Sequence, residues 1–316
     1  MKAMVYQSYG SPDNLGLAEI NIPSIIADEV LVRARAASVN WIDWHFLTGT
    51  PFLARIMAGL LKPKNKVLGI DLAGRVEAIG ENVMQFQIGD EVFGSTNHGC
   101  FAEYVCVNES ELVKKPANLT FEEAAAVPGA ATPALQALRD HGHVQPDDKV
   151  LINGASGGVG SFAVQIAKSM GAKVTGVCST TNLDMVRSIG SDQVIDYTQK
   201  DFTQSENRYD LIFDVVANRS FSNCKGALTS QGIYITSEFS PILLLREKWI
   251  SLIGTKKMVA LPPNPPNQMD LVYLNQLLEV GKIQPVIDRC YSLSEVPEAL
   301  TYFAKGHSKG KVIITI

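Results

Sequence analysis

The stretch Lys149–Gly160 reads KVLINGASGGVG, an apolar run followed by four glycines in seven residues. A strand that turns through glycines into a helix leaves the first helical N–H groups bare, and glycine lets an anion approach them. Downstream, Val159, Phe162, Ala163, Ile166, Ala167 and Met170 follow helical spacing, and Gly171 supplies the stop. KVTGVCST then provides a second strand at the distance a βαβ unit requires. Ala155, Gly157 and Gly160 stand at the Gly-x-Gly-x-x-Gly positions, with alanine for the first glycine. The expectation is a dinucleotide turn in which Ser156, Gly157, Gly158 and Val159 cradle a pyrophosphate. A plain strand-to-helix turn is the competing reading.

Around this unit the chain has two characters. Up to about residue 120, short β-rich runs punctuated by glycine (EVLVRARAASVN, VLGIDLAGRVEAIG, IGDEVFGS, GCFAEYVCVN) predict a barrel-like module. From Phe121 an alanine-rich helical stretch begins, and strands then alternate with amphipathic helices through NLDMVRSIG, QVIDY, YDLIFDVV and GIYITS. Such alternation predicts an α/β domain with a parallel sheet. The proline-rich LPPNPPN breaks the pattern. A helix around MDLVYLNQLLEVG and the strand-like KVIITI follow, and the last residues are expected to rejoin the first module. The domains predicted are 1–120 together with 267–316, and 121–266.

A net charge of −4 with scattered basic residues argues against nucleic acid as a partner. Five cysteines at irregular positions form neither a disulfide framework nor a Cys-x-x-Cys metal site, which suits a reducing cytoplasm. The N-terminus has no apolar signal core. Apolar clusters such as PILLLREKWISLIG are broken by charges well short of the roughly 18 to 20 residues a membrane span needs. A cytoplasmic protein is the expectation.

At the end of the second strand, where an NAD site places Asp or Glu for the ribose 2′-OH, the chain reads Cys178-Ser179-Thr180-Thr181-Asn182. No acid is there to repel a 2′-phosphate, and Ser179, Thr180, Thr181 and Asn182 can donate to it. NADPH is therefore favoured over NADH, with Arg187 on the next helix as a cation within reach.

AASVNWIDWH, LGIDLAGRVEAIG, IGDEVFG, FAEYV, AAAVPGAATPALQAL, INGASGGVG, VIDY and GKVIITI, in this order, resemble the medium-chain dehydrogenase/reductase superfamily, and within it the zinc-independent quinone oxidoreductase branch. The resemblance spans essentially the whole chain. It implies a GroES-like β-barrel module carrying substrate, a Rossmann domain carrying NADPH, a cleft between them for hydride transfer, and a homodimer formed through Rossmann edge strands. The zinc enzymes of the superfamily ligate metal through a cysteine and a Gly-His-Glu segment. Here Asn40 and Gly69-Ile70-Asp71 stand at those places, and the structural cysteine quartet has no counterpart. Without a Lewis acid, quinones and α,β-unsaturated carbonyls are the expected acceptors, since conjugation spreads the negative charge that hydride brings.

The candidate catalytic residues are Asn40, facing the nicotinamide ribose or the substrate carbonyl, and His45, a hydrogen-bond or proton donor. Their ordinary readings are a helix cap and a packed or solvent-facing histidine. Asp43 is expected to order the loop, while His141 and His143 sit at a helix end. For the cofactor, the resemblance singles out Thr132, which could instead cap a helix begun by Pro133, and Tyr197 near the 2′-phosphate. It also implicates Ala217, where the family has glycine, Ser237 at the next strand end, and Lys311 in the closing Gly-Lys-Val. FLTGTPFLARIMAGLLKPKNK and SPILLLREKWISLIGTKK are expected to carry specificity, as a lid or by core packing, with a dimer contact or a membrane-surface helix as alternatives. The function predicted is NADPH-dependent hydride transfer to a small hydrophobic quinone or enone. An NADPH-binding redox sensor or structural protein with little turnover is the alternative.

Overall fold

The computed structural model describes residues 1–238, 240–253, 255–262 and 267–316. The centre of LPPNPPN and the expected boundary at 266 lie outside the described residues. Backbone packing divides the chain into two units. One takes in Met1–Gly129, the helix Gln268–Glu279 and Pro285–Ile316, and the other Ala130 to Pro262 with Gly281–Gln284.

The first unit is built on a mostly antiparallel sheet in the order Ile287–Ser292, Lys311–Thr315, Glu29–Ser38, Asp71–Ile79, Glu91–Ser95, Leu112–Lys114. Tyr104–Asn108 also pairs with Glu29–Ser38. One core gathers Val30, Val32, Leu72, Val76, Val92 and Val107 with Val296, Leu300 and Ile314. The closing strand joins this sheet because Ile313 and Ile314 pair with Ser38 and Ala37 and bury their side chains. The compact unit runs on to Gly129. The short helix Phe121–Ala125 packs on Glu29–Ser38 and Asp71–Ile79, where Ala124 and Ala125 are wholly buried.

In the second unit six parallel strands run in the order Gln193–Asp196, Lys173–Cys178, Lys149–Asn153, Tyr209–Asp214, Leu228–Thr236, Lys257–Ala260. Numbered along the chain this is 3-2-1-4-5-6, the doubly wound dinucleotide-binding order. The carboxyl ends line up on one edge, with Cys178 beside Asp196, Asn153 beside Asp214, and Asp214 beside Thr236. The short segment Gly281–Gln284 is held here by Gln165, whose amide donates to the Gln284 carbonyl and accepts from its N–H. Among the described residues no helix is long and apolar enough to cross a membrane.

Candidate functional site

Three neighbouring strands of the first unit bring a buried polar cluster together. Ser38 and Asp71 are paired across the sheet, and the Val39 N–H bonds to the Val312 carbonyl, next to Lys311. Lys311 Nζ donates to Asn40 Oδ1 at 2.6 Å and to the Val39 carbonyl at 3.1 Å, and lies 3.8 Å from Asp71 Oδ2. Asn40 Nδ2 donates to Asp71 Oδ2 at 2.9 Å and to the Ser38 carbonyl at 3.2 Å, while Ser38 Oγ donates to the same Asp71 oxygen at 2.8 Å. All four residues are buried, and Asp71 Oδ1 is sealed without a hydrogen-bond partner among the described residues. Gly129 lies against them. A Cβ there would fall 2.6 Å from Asp71 Oδ2 and 2.8 Å from Asn40 Oδ1, so no larger residue fits undisturbed.

Asn40 begins the helix Trp41–Thr48. Its backbone N–H donates to Asp43 Oδ2 at 2.8 Å, and the other Asp43 oxygen accepts from the Gly69 N–H at 3.0 Å. Burial pushes the Asp43 carboxyl up to about 7, against the opposing pull of the Asn40 N–H, with the Asp71 charge adding to the rise. Burial also lowers the Lys311 ammonium, opposed by the attraction of Asp71 and Asp43. Lys311 is thus an internal lysine. His45, on the same helix, stands apart: its Nδ1 lies 2.6 Å from the Thr50 carbonyl, which can only accept, so this nitrogen carries the proton.

In the second unit the glycine turn is built as a cradle. Gly154 has φ +88, and a Cβ on Gly160 would fall 2.0 Å from the Gly154 carbonyl oxygen, so helix and strand meet this closely only through glycine. The helix Gly158–Ser169 starts from Gly157, which has no side chain to cap it. Its first N–H groups therefore have no intrahelical partner. Ser156 is held by Asn182, whose Nδ2 donates to Ser156 Oγ at 3.1 Å.

The strand-end loop differs in one respect from its sequence. Asp196, on the neighbouring strand, receives the Thr180 hydroxyl at 2.5 Å and that of Thr198 at 2.8 Å. These hydroxyls hold its carboxyl below the usual range. A carboxylate thus stands beside Ser179–Asn182, although none lies within it. Arg187 pairs with Asp184 at 2.9 Å on its own helix. Tyr197 is half exposed, with its N–H on the Cys178 carbonyl.

Ala217 adopts φ +58, the left-handed conformation natural to glycine, with its N–H on Asp214 Oδ1. Ser237 Oγ donates to the Val215 carbonyl at 2.8 Å. Thr132 does not cap a helix begun by Pro133, because both lie inside the helix Pro128–Leu135. Its hydroxyl is completely buried and has no hydrogen-bond partner among the described residues. An uncapped helix start behind a glycine cradle and an orphaned hydroxyl fit a nicotinamide dinucleotide.

Among the described residues, no group of three or more His, Cys, Asp or Glu could hold a metal ion. Sequence reasoning weighed Gly69-Ile70-Asp71 for the ligands it lacks and so missed Asp71 and Ser38 as partners of Asn40. It missed Asp196 because it scanned only the second strand's own loop.

Comparison with known proteins agrees with this geometry. Residues 26–117 match the alcohol dehydrogenase GroES-like domain family, and residues 189–314 the zinc-binding dehydrogenase family. A chloroplastic quinone-oxidoreductase homolog of Spinacia oleracea is 33% identical over 99% of this chain and 98% of its own. The chloroplastic NADPH-dependent alkenal/one oxidoreductase of Arabidopsis thaliana is 32% identical over 99% of this chain and 79% of its own. The solved quinone oxidoreductase of Coxiella burnetii superposes with a TM-score of 0.89 at 30% identity, covering 100% of this chain and 99% of that one. With a GroES-like unit, a doubly wound parallel sheet and relatives aligned from end to end, the chain belongs to the medium-chain dehydrogenase/reductase superfamily, in its quinone oxidoreductase branch.

Proposed function

We propose that this protein is an NADPH-dependent reductase that transfers hydride, without a metal, to a quinone or an α,β-unsaturated carbonyl. The observation that carries the proposal is the Lys311–Asn40–Asp71 cluster. At the places where the resemblance puts the cysteine and the Gly-His-Glu ligands of the zinc enzymes, an amide is locked between a resident ammonium and a carboxylate. A cation supplied by the chain itself balances Asp71 there. In this reading the GroES-like domain, 1–120 with 267–316, takes the acceptor and 121–266 the cofactor.

The first N–H groups of the helix after Gly157, with Ser156, would hold the pyrophosphate. Ser179, Thr180, Asn182 and Tyr197 would receive the 2′-phosphate, and Thr132, Ala217 and Ser237 the nicotinamide end. Bound there, NADPH supplies the hydride. Both Nδ2 hydrogens of Asn40 are spent on Asp71 and Ser38, so the amide has only an acceptor lone pair left. That suits a ribose hydroxyl better than a substrate carbonyl. Lys311 then acts by positioning Asn40. The His45 Nδ1 proton is committed to Thr50, so a neutral His45 has no proton to give, and solvent supplies the proton that completes reduction. Conjugated acceptors suit a site of this kind, since their charge is already spread.

Five free cysteines fit a reducing compartment. The Lys257–Ala260 strand, which ends the parallel sheet, is the edge through which a homodimer would form. The test is NADPH oxidation by purified protein against quinones, enals, enones and simple ketones, with elemental analysis of the same sample. Turnover of conjugated acceptors alone, without zinc, is the expected result. NADPH binding with no turnover across the panel, or stoichiometric tightly held zinc, overturns the reading.

A further inference from the structure

The segment that follows the Asn40 helix is neither core nor an ordinary polar loop. From Trp44 to Ile70 the chain contains no Asp or Glu, yet it carries Arg55, Lys62, Lys64 and Lys66 in a protein of net charge −4. Within it, the helix Phe52–Ala58 and the turn after it present Phe52, Ile56, Met57, Leu60 and Leu61 to solvent, Leu61 at 91% exposure. Large apolar side chains massed in this way mark a contact surface.

The back of the segment is fastened down. Ala54 is buried, and Arg55 lies over the Tyr9 ring at 4.9 Å and donates to the Gly49 carbonyl at 3.2 Å. Tyr9 also donates its hydroxyl to the Gly59 carbonyl, and the Lys64 N–H bonds to the Ala58 carbonyl at 2.8 Å. Exposure of the front face is therefore not fraying. Arg55 is occupied in holding the platform, whereas Lys62, Lys64 and Lys66 are exposed and make no ion pair among the described residues.

We propose that this platform docks the protein on the surface of an anionic lipid bilayer, with Phe52, Ile56, Met57, Leu60 and Leu61 entering the interface and Lys62, Lys64 and Lys66 meeting the headgroups. Apolar side chains backed by lysines without acids are complementary to an acyl boundary under a negative surface. A second copy of this chain fits the patch less well, because lysines from two copies would be brought together at the contact. The site places the protein at the phase where hydrophobic acceptors dissolve, but lipid docking stands on the surface itself and does not depend on the reductase reading.

Co-sedimentation of the full chain with phosphatidylcholine vesicles, with and without phosphatidylglycerol, tests it. Binding to the anionic vesicles that weakens with salt is the expected result. The triple variant Lys62→Gln/Lys64→Gln/Lys66→Gln should lower the partition coefficient by about five-fold per lysine. Leu60→Asp/Leu61→Asp should abolish binding while leaving the melting temperature unchanged. Failure to bind anionic vesicles overturns the proposal, as does binding that neither variant weakens. A dimer that Leu60→Asp/Leu61→Asp dissociates would also overturn it, since the patch would then be covered by a second copy. Vesicle binding is read without cofactor or acceptor, so its outcome is independent of the turnover assay.

Discussion

Lys311 Nζ lies 2.6 Å from Asn40 Oδ1, although 271 residues separate the two along the chain. The contact exists because the closing strand pairs with Glu29–Ser38, just ahead of Asn40. With Asp71 on the next strand, a buried amide is held from both sides by opposite charges. Removing one member of a buried pair strands the other, at about 3–5 kcal/mol. Lys311→Met is expected to lose stability of that order in urea unfolding, and Lys311→Met/Asp71→Asn to recover much of it. If Asn40 acts through its position, the double variant will regain stability but not turnover. Equal recovery of both would reduce the cluster to a structural one.

Asp43 gives the same region a pH dependence of unusual sign. Its carboxyl is pushed up to about 7 by burial in the fold and has its ordinary value of 3.8 when unfolded. Between these values the folded state binds the extra proton, so this group's contribution to stability is present at low pH and is lost as pH rises through about 7. Unfolding free energies at ~pH 5 and ~pH 8 should differ in that direction. Asp43→Asn, which keeps an acceptor for one of the two backbone N–H groups, should flatten this part of the profile. An unchanged slope in the variant would assign the effect to other groups.

What could be read from residues alone follows the range over which each signal acts. The parallel sheet was legible because its strands and helices carry local periodicity, and the cradle because Gly154 and Gly160 mark a close approach made within one turn. The Asn40 cluster was only half legible. The resemblance singles out Asn40 and Lys311, but that Lys311, Ser38 and Asp71 converge on one amide depends on antiparallel register between strands distant in sequence. Asp196 escaped for a related reason, since a parallel neighbour delivers its carboxylate to the Ser179–Asn182 loop. The Phe52–Leu61 segment has helical spacing compatible with core packing, and only its exposure separates a surface from a core.

Asp196 makes cofactor choice testable. Its ionised carboxylate, held by Thr180 and Thr198, stands at the loop assigned to the 2′-phosphate and should repel it. Asp196→Asn is expected to raise the ratio of kcat/KM for NADPH over NADH by several-fold, chiefly through KM for NADPH. A ratio that does not move, or that moves toward NADH, would place the phosphate elsewhere.

Ala217 offers a prediction in the opposite sense, a substitution that stabilises. A non-glycine residue in the left-handed region costs roughly 1–2 kcal/mol, because its Cβ crowds the following carbonyl oxygen. Glycine removes that crowding, at the expense of some additional freedom in the unfolded chain. The Ala217 N–H to Asp214 bond, 3.0 Å long, uses only the backbone and survives the change. Ala217→Gly should therefore raise stability by about 0.5–1 kcal/mol in thermal or urea unfolding. Since the residue is also assigned to the nicotinamide end of the cofactor site, the same variant should bind NADPH at least as tightly, a smaller side chain leaving the backbone more approachable. Weaker NADPH binding at unchanged or higher stability would show that the Ala217 methyl itself contacts the cofactor.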